Sequence, residues 1–270
     1  MFYLKKMSAY KKQHIVPETY LKHFSINSDG IGIFVINSDD KYRKGIQKKN
    51  SGDKIFWIPN YSDTDFFDDR KAIEKMFGTD IENNYNNIIN VIEQEKTTID
   101  FGVKQELLQW IFYTKLRSPI WKNHLENFTD YDNFKKQVND FVSSAVSMRW
   151  TIYKSPQNKY WWTSDNPGFC HNLKKMEATQ EILPEPIYNK VGVDSILYYP
   201  LSKKYCLNIH PYNKGEDLHL NATNTNIRFE KADLSLFKIL NYSTLITQKR
   251  LIIATESESL NEVEEIKNKT

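Results

Sequence analysis

Four ionisable residues have side chains suited to acid–base chemistry at a phosphate group. They are His14, Glu74, Arg117 and Asp165. An imidazole can take up a proton, a guanidinium can bind phosphate oxygens, and carboxylates can orient the imidazole or hold a metal ion. We therefore treat these four residues as candidate catalytic groups for the cleavage of phosphodiester bonds.

His14 stands just before a predicted helix. Pro17 suits the first turn of a helix, and Tyr20, Leu21 and Phe24 follow at helical spacing on one apolar face. We expect His14 at or before the helix N-terminus, where free N–H groups attract anions and the dipole disfavours an imidazolium. The alternative is a structural histidine that caps the helix. Tyr20 is also a candidate substrate contact.

Arg117 closes a helix that is predicted to be buried. Glu106, Trp110 and Tyr113 precede it at spacings that give one stripe of the helix. A cation at the end of an apolar helix requires a partner, because burying it alone is costly. Its candidate partners are Glu74, Glu82, Asp165 and a ligand phosphate. The alternative to a phosphate clamp is a structural ion pair.

Two predicted strand ends supply further polar side chains. Ser164, Asp165 and Asn166 precede Pro167, and Ser202 follows the second strand end. Loops at the ends of strands often carry binding groups, so Ser164, Asn166 and Ser202 are candidate substrate contacts. The alternative is turn formation, because Ser, Asp and Asn side chains bond the backbone that follows them.

A divalent metal ion is a candidate cofactor. Glu74 and Glu82 are two helical turns apart and could face one cavity, with His14 or Asp165 as further ligands. No compact motif such as His-Glu-x-x-His occurs. The alternative is a solvated helix face, and we leave the cofactor open.

Composition limits the class of protein without naming a partner. The 270 residues are 40% hydrophobic and 14% aromatic, which is typical of a packed globule. The net charge is only +3, and nucleic acid or a nucleotide is a candidate partner on the strength of the site alone. Two cysteines, no signal-peptide pattern and no long apolar run predict a cytoplasmic protein with no membrane partner. The oligomeric state is left open.

Helical patterns dominate the first half of the chain and strand patterns the second, which predicts an α+β fold. We expect a helical first half packed against a mixed or antiparallel sheet from the second half. The expected organisation is one domain over residues 1–255, with a helical part at about 60–148, a sheet-rich part at about 149–255 and an acidic tail at 256–270. Predicted helices cover 68–94, 102–117 (capped by Asp100), 131–148 and 232–248. Predicted strands cover 31–37, 54–58, 149–154, 159–163, 195–199, 205–209 and 250–255, and 41–54 is predicted to be a loop.

The ordered motifs resemble a bacterial family catalogued as domain of unknown function 4238. The matching residues are His14, Val16, Pro17, Tyr20, Leu21, Phe24, Ile73, Glu74, Arg117 to Pro119, Ser164 to Pro167, Pro200 to Ser202 and Asn241. Gly168 departs from the apolar residue usual there, which would loosen the turn. The resemblance implies a bacterial protein, sometimes encoded among anti-phage defence genes, and no established activity.

The sequence leaves three functions open. The first is an anti-phage effector that cleaves RNA or DNA. The second is a non-enzymatic sensor or binding module with a buried polar network, and the third is an enzyme acting on a nucleotide. Arg117 and His124 also resemble the Arg-x(four to six)-His motif of HEPN ribonucleases, although Ser118 and Pro119 depart from it.

Overall fold

The structure is a computed structural model. It describes residues 12–38, 45–61, 74, 77–78, 82–120, 131–172, 177–179, 195–210 and 225–267. His124 lies outside the described residues, and so does most of the 68–81 part of the helix predicted at 68–94.

Two of the six described helices begin at an aspartate that caps them. The six helices are α1 (Glu18–Lys22), α2 (Tyr85–Glu93), α3 (Phe101–Leu116), α4 (Tyr131–Val146), α5 (Leu234–Thr247) and α6 (Ser257–Lys267). The Asp100 side chain accepts a hydrogen bond from Gly102 N (2.7 Å) at the start of α3. Asp233 caps α5 in the same way through Leu236 N (2.7 Å). Both aspartates satisfy a backbone donor that the helix itself leaves free.

The larger sheet has six strands from the second half of the chain. In chain order they are β5 (Arg149–Lys154), β7 (Phe169–Asn172), β8 (Glu177–Thr179), β9 (Ser195–Pro200), β10 (Tyr205–His210) and β11 (Ile227–Lys231). Their spatial order is β11-β5-β10-β9-β7-β8. The pairing of β11 with β5 is parallel and the other pairings are antiparallel, so the sheet is mixed.

Two smaller sheets bring the N-terminal segment to the rest of the molecule. The four-stranded sheet has the order β3-β2-β12-β6, and β1 pairs with β4. Their strands are β1 (Lys12–His14), β2 (Ile31–Asn37), β3 (Gln47–Asn50), β4 (Trp57–Pro59), β6 (Thr163–Ser164) and β12 (Leu251–Ala254). β6 lies against β12, which places the Ser164–Asn166 turn beside the end of α5.

α3 is the central helix of the core. Its residues Leu107, Trp110 and Phe112 are completely buried. The same apolar cluster contains Ile152 of β5 and Leu207 of β10, so α3 covers one face of the larger sheet. α5 packs near β7 and β9 on the opposite face, where Phe237 shares an apolar cluster with Phe169 and Ile196. The sheet therefore has a helix on each face.

The predicted fold class is confirmed: the protein is α+β, with helices in the first half and the sheets mostly in the second. Three local predictions are wrong. β3 lies within the predicted loop at 41–54, and the predicted strand at 54–58 begins with a 3-10 turn, Lys54–Phe56. The predicted strand at 159–163 is reduced to β6. The acidic segment after residue 255 contains α6, whose Leu260 and Val263 are buried.

None of the helices in the described part of the chain is both long enough and apolar enough to cross a lipid bilayer.

Candidate functional site

Arg117 follows the last residue of α3 and is buried, with only 2% of its surface exposed. Its Nη2 lies 3.2 Å from Oε2 of Glu74, and its guanidinium lies 4.2 Å from the ring centroid of Phe77. Nε and Nη1 are buried and have no hydrogen-bond partner among the described residues. Glu74 is one of the four candidate partners that the sequence left open, and Arg117 retains donors for another acceptor.

His14 lies at the end of β1, opposite Trp57 of β4. His14 precedes α1, as expected, but three residues separate it from the helix, and pairing with β4 fixes its backbone. Its Nε2 is buried without a hydrogen-bond partner in the described structure. Burial lowers the pKa of His14, and the charge of Arg117 lowers it further, against opposing effects of Glu82 and Glu18. A neutral imidazole is therefore favoured beside the guanidinium.

Glu82 is the second carboxylate near this pair. It begins the 3-10 turn Glu82–Asn84, and its Oε1 accepts a hydrogen bond from the Thr19 hydroxyl (3.3 Å). Its charge acts on the pKa values of both His14 and Arg117. The sequence identified Glu82 only as a possible ion-pair partner or metal ligand. The structure thus brings His14, Arg117 and two carboxylates together, and we call these four residues the Arg117 cluster.

Asp165 has a different set of partners. Its carboxylate accepts hydrogen bonds from the backbone N–H groups of Lys249 (3.0 Å) and Arg250 (3.1 Å). The Arg250 Nε also lies 3.8 Å from Oδ2. Burial raises the pKa of Asp165, while the N–H groups of Arg250 and Lys249 oppose that rise. Asp165 therefore closes the turn between α5 and β12.

Ser164 and Asn166 complete the same turn. The Ser164 hydroxyl accepts from Asn166 N (3.1 Å), and the Asn166 side-chain amide donates to the carbonyl of Thr247 at the end of α5 (2.8 Å). Both residues are completely buried. Their contacts are those of turn formation, the alternative that the sequence left open.

Lys115 is a buried cation that the sequence analysis missed. It is completely buried, and its ammonium donates to the carbonyl of Gly168 (2.8 Å). Burial lowers its pKa well below the ordinary lysine value, against opposing effects of Cys170 and Asp165. Gly168 has a φ of 78°, which glycine adopts freely. The position of a lysine inside an otherwise apolar helix is the sequence feature that could have identified it.

Tyr20 and Ser202 also have structural partners. Tyr20 is completely buried, and its hydroxyl donates to the Pro200 carbonyl (2.6 Å) and lies 2.7 Å from the Thr163 hydroxyl. The Ser202 hydroxyl accepts from the N–H groups of Lys204 (3.2 Å) and Tyr205 (3.3 Å), which closes the β9–β10 hairpin. These contacts account for both side chains without a ligand.

The 3-10 turn Lys54–Phe56 lies between the Arg117 cluster and the turn around Asp165. The Phe56 carbonyl accepts from Ile15 N (2.8 Å), next to His14. The preceding carbonyl, that of Ile55, accepts from Arg250 Nη2 (2.7 Å), next to Asp165. Consecutive carbonyls of one turn are thus bonded to the neighbours of both candidate residues.

Among the described residues, no group of three or more His, Cys, Asp and Glu side chains is arranged to hold a metal ion. The proposed metal ligands Glu74, Glu82 and His14 surround a guanidinium, which repels a cation. Among the described residues, two guanidinium nitrogens of Arg117 lack acceptors and could donate to an anion, although Glu74 and Glu82 carry opposing charge.

Comparison with known proteins identifies the chain through its family. No curated protein and no solved structure matches it significantly. One family profile covers residues 12–258, which include the Arg117 cluster and the turn around Asp165. The chain therefore belongs to the family described as protein of unknown function (DUF4238).

Proposed function

We propose that this protein cleaves phosphodiester bonds in RNA or DNA, with the Arg117 cluster as its active site. One observation carries the proposal: among the described residues, buried Arg117 has two nitrogens without a partner, and Nε2 of nearby His14 has none either. A buried polar group without a partner costs roughly 1–3 kcal/mol, so a bound phosphate would remove a real penalty. The lowered pKa of His14 supports its use as a base near neutral pH.

Each residue has a separate part in the proposed reaction. His14 takes a proton from the attacking water or hydroxyl, whose oxygen forms a bond to phosphorus as the bond to the leaving oxygen breaks. The leaving oxygen then receives a proton from solvent water, and protonated His14 returns its proton to the solvent. Arg117 neutralises the phosphate charge, and Glu74 positions Arg117 through their 3.2 Å ion pair. Asp165, which contacts the 249–250 backbone, is a positioning residue in this scheme.

A host-protective role against phage is part of the proposal, and it is supported by the family resemblance alone. A nucleotide would present the same phosphate chemistry to Arg117. The burial of Arg117 favours a phosphate that can reach inside the protein, such as a strand end, an extruded nucleotide or a free nucleotide.

A cleavage assay tests the proposal directly. Wild type, His14→Gln and Arg117→Met are incubated with labelled single-stranded RNA, single-stranded DNA, duplex DNA and nucleotides, with and without Mg²⁺. We expect wild type to cleave at least one substrate, and each variant to lose at least 10²-fold in rate, the usual size of a lost acid–base or electrostatic contribution. Lys231→Met, which changes an exposed lysine on β11, is the matched control and should retain full activity.

Equal cleavage by wild type and both variants would contradict the proposal, as would no cleavage of any substrate by wild type. Circular dichroism and melting temperature must accompany each rate, so that loss of folding is not read as loss of chemistry.

The second candidate is a sensor or binding module in which the Arg117 cluster is a structural network. The cation–π contact with Phe77 and the near-complete burial of Arg117 favour it. In that case Arg117→Met and His14→Gln would lower the free energy of unfolding by several kcal/mol. Loss of cleavage at unchanged stability favours the enzyme instead.

A further inference from the structure

α5 exposes an apolar face that nothing in the described structure covers. Leu234, Ile239, Tyr242 and Ile246 are 47–57% exposed. They are four of the six large hydrophobic side chains exposed among the described residues; the other two are Ile26 and Ile31. Ile239, Tyr242 and Ile246 fall on one helix face at spacings of three and four. Exposed apolar residues scattered singly are ordinary, but a continuous stripe marks an interaction surface.

This stripe forms one wall of a groove. The groove has a volume of about 760 Å³, with Trp162 among its lining residues, and its opposite wall is the first two turns of α6. Ile239, Tyr242 and Ile246 of α5 line it, and Glu258 and Glu262 line it from α6. We call this surface the α5–α6 groove.

The two walls of the α5–α6 groove carry opposite charges. Lys238, on the α5 wall, is exposed, and so are Glu258 and Glu262 on the α6 wall. A two-fold axis that runs along α5 within the contact plane exchanges the two walls. The lysine of one copy then faces the glutamates of the other, while the apolar stripes meet at the centre. A surface of this kind is self-complementary, which is the requirement for a symmetric dimer.

We propose that the α5–α6 groove is a docking surface for a second copy of this chain. The two α5 helices pack side by side in parallel, with Ile239 and Tyr242 at the centre and the Lys238–glutamate contacts at the rim. A buried apolar centre with a charged rim is the common arrangement of stable interfaces.

Sedimentation velocity of the full chain at about 1–100 μM tests the proposal. We expect wild type to sediment as a dimer in the upper part of this range, and Ile239→Glu and Tyr242→Glu each to weaken dimerisation by at least tenfold. Ile31→Glu is the matched control, since Ile31 is 58% exposed but lies on β2, and it should dimerise like wild type. A monomeric wild type over the whole range overturns the proposal, and so does a dimer that neither α5 variant weakens.

Charge exchange tests the orientation of the two copies. Lys238→Glu should weaken the dimer, because glutamates then face glutamates. Combining Lys238→Glu with Glu258→Lys and Glu262→Lys should restore it. Failure of the triple variant to recover any affinity overturns the two-fold arrangement. All these positions are exposed, so unchanged melting temperatures are expected and must be confirmed.

Discussion

Arg117 and Asp165 both lie within the segment that the family profile covers, yet they differ in how their polar atoms are satisfied. Asp165 accepts hydrogen bonds from two backbone N–H groups and pairs with Arg250. Arg117 has one ion pair, while its Nε and Nη1 have no partner in the described structure. His14 Nε2 is in the same condition.

The difference separates a structural role from a chemical one. A carboxylate whose oxygens are used by its own chain contributes stability and leaves little for a substrate. A buried guanidinium with free N–H groups contributes less stability and retains the capacity to bind an anion. Residue type could not separate these roles, because both regions supply charged residues.

The largest effect is expected from the Asp165 turn. Asp165→Ala leaves the backbone N–H groups of Lys249 and Arg250 without their acceptor, which should lower the free energy of unfolding by roughly 3 kcal/mol. Urea denaturation measures the change. Asp233→Ala is the control, since it removes an exposed helix cap and should cost about 1 kcal/mol. Equal losses in the two variants would remove the contrast between a buried turn and an exposed cap.

A smaller loss is expected at Tyr20. Tyr20→Phe removes the hydroxyl that donates to the Pro200 carbonyl and lies beside the Thr163 hydroxyl, at a cost of about 2 kcal/mol. Tyr242→Phe, at a half-exposed position, should change the melting temperature very little. If Tyr20→Phe were as stable as wild type but impaired in cleavage, Tyr20 would belong with the chemical residues.

Binding of inorganic phosphate should stabilise the folded protein through Arg117 but not through Asp165. At tenfold excess over Kd, phosphate should stabilise wild type by about 1.4 kcal/mol, seen as a higher melting temperature. Arg117→Met should lose this response. Asp165→Asn should keep it, although its melting temperature without phosphate should be lower than that of wild type. A response that survives in Arg117→Met would place the anion elsewhere; its loss in both variants would mean that the regions act as one.

The smallest effect is a pH dependence from His14. Its pKa is lowered in the folded protein from 6.5, mainly by burial, with Arg117 and Lys12 adding to the effect and Glu82 and Glu18 opposing it. As pH falls below 6.5 the unfolded chain binds the proton first, so stability is full above 6.5 and declines below it. The slope from one histidine is at most about 1.4 kcal/mol per pH unit.

Urea denaturation of wild type and His14→Gln between pH 5 and 8 measures this contribution. Burial also lowers the pKa values of His23 and His210, so the difference between the two proteins is the informative quantity. Parallel curves would contradict a perturbed His14.

Local sequence patterns correctly predicted the helices and strands that are determined by neighbouring residues. The cap at Asp100 and the apolar residues after it gave α3 within one residue at each end, and the β-branched run gave β2 without error. Short strands were missed because their formation depends on distant partners. β1 exists only through pairing with β4, and no local pattern predicts that.

In the candidate site, too, some features follow from local sequence and others depend on distant contacts. The requirement for a partner of Arg117 followed from its place in an apolar helix, and Glu74 was among the partners considered. Arg117 shifts the pKa of His14 because the two residues lie close together. Their closeness depends on both the β1–β4 pairing and the position of α3. The acceptors of Lys115 lie more than fifty residues away in the chain, so only the structure could identify them.

The 3-10 turn Lys54–Phe56 has a consequence for amide hydrogen exchange. Ile15 N donates to the Phe56 carbonyl, so its exchange requires the turn to separate from the N-terminal segment. The neighbouring Ile55 carbonyl is bonded to Arg250, whose backbone contacts Asp165. Local opening at the Asp165 turn should therefore be recorded as faster exchange at Ile15, a residue that has no part in that turn.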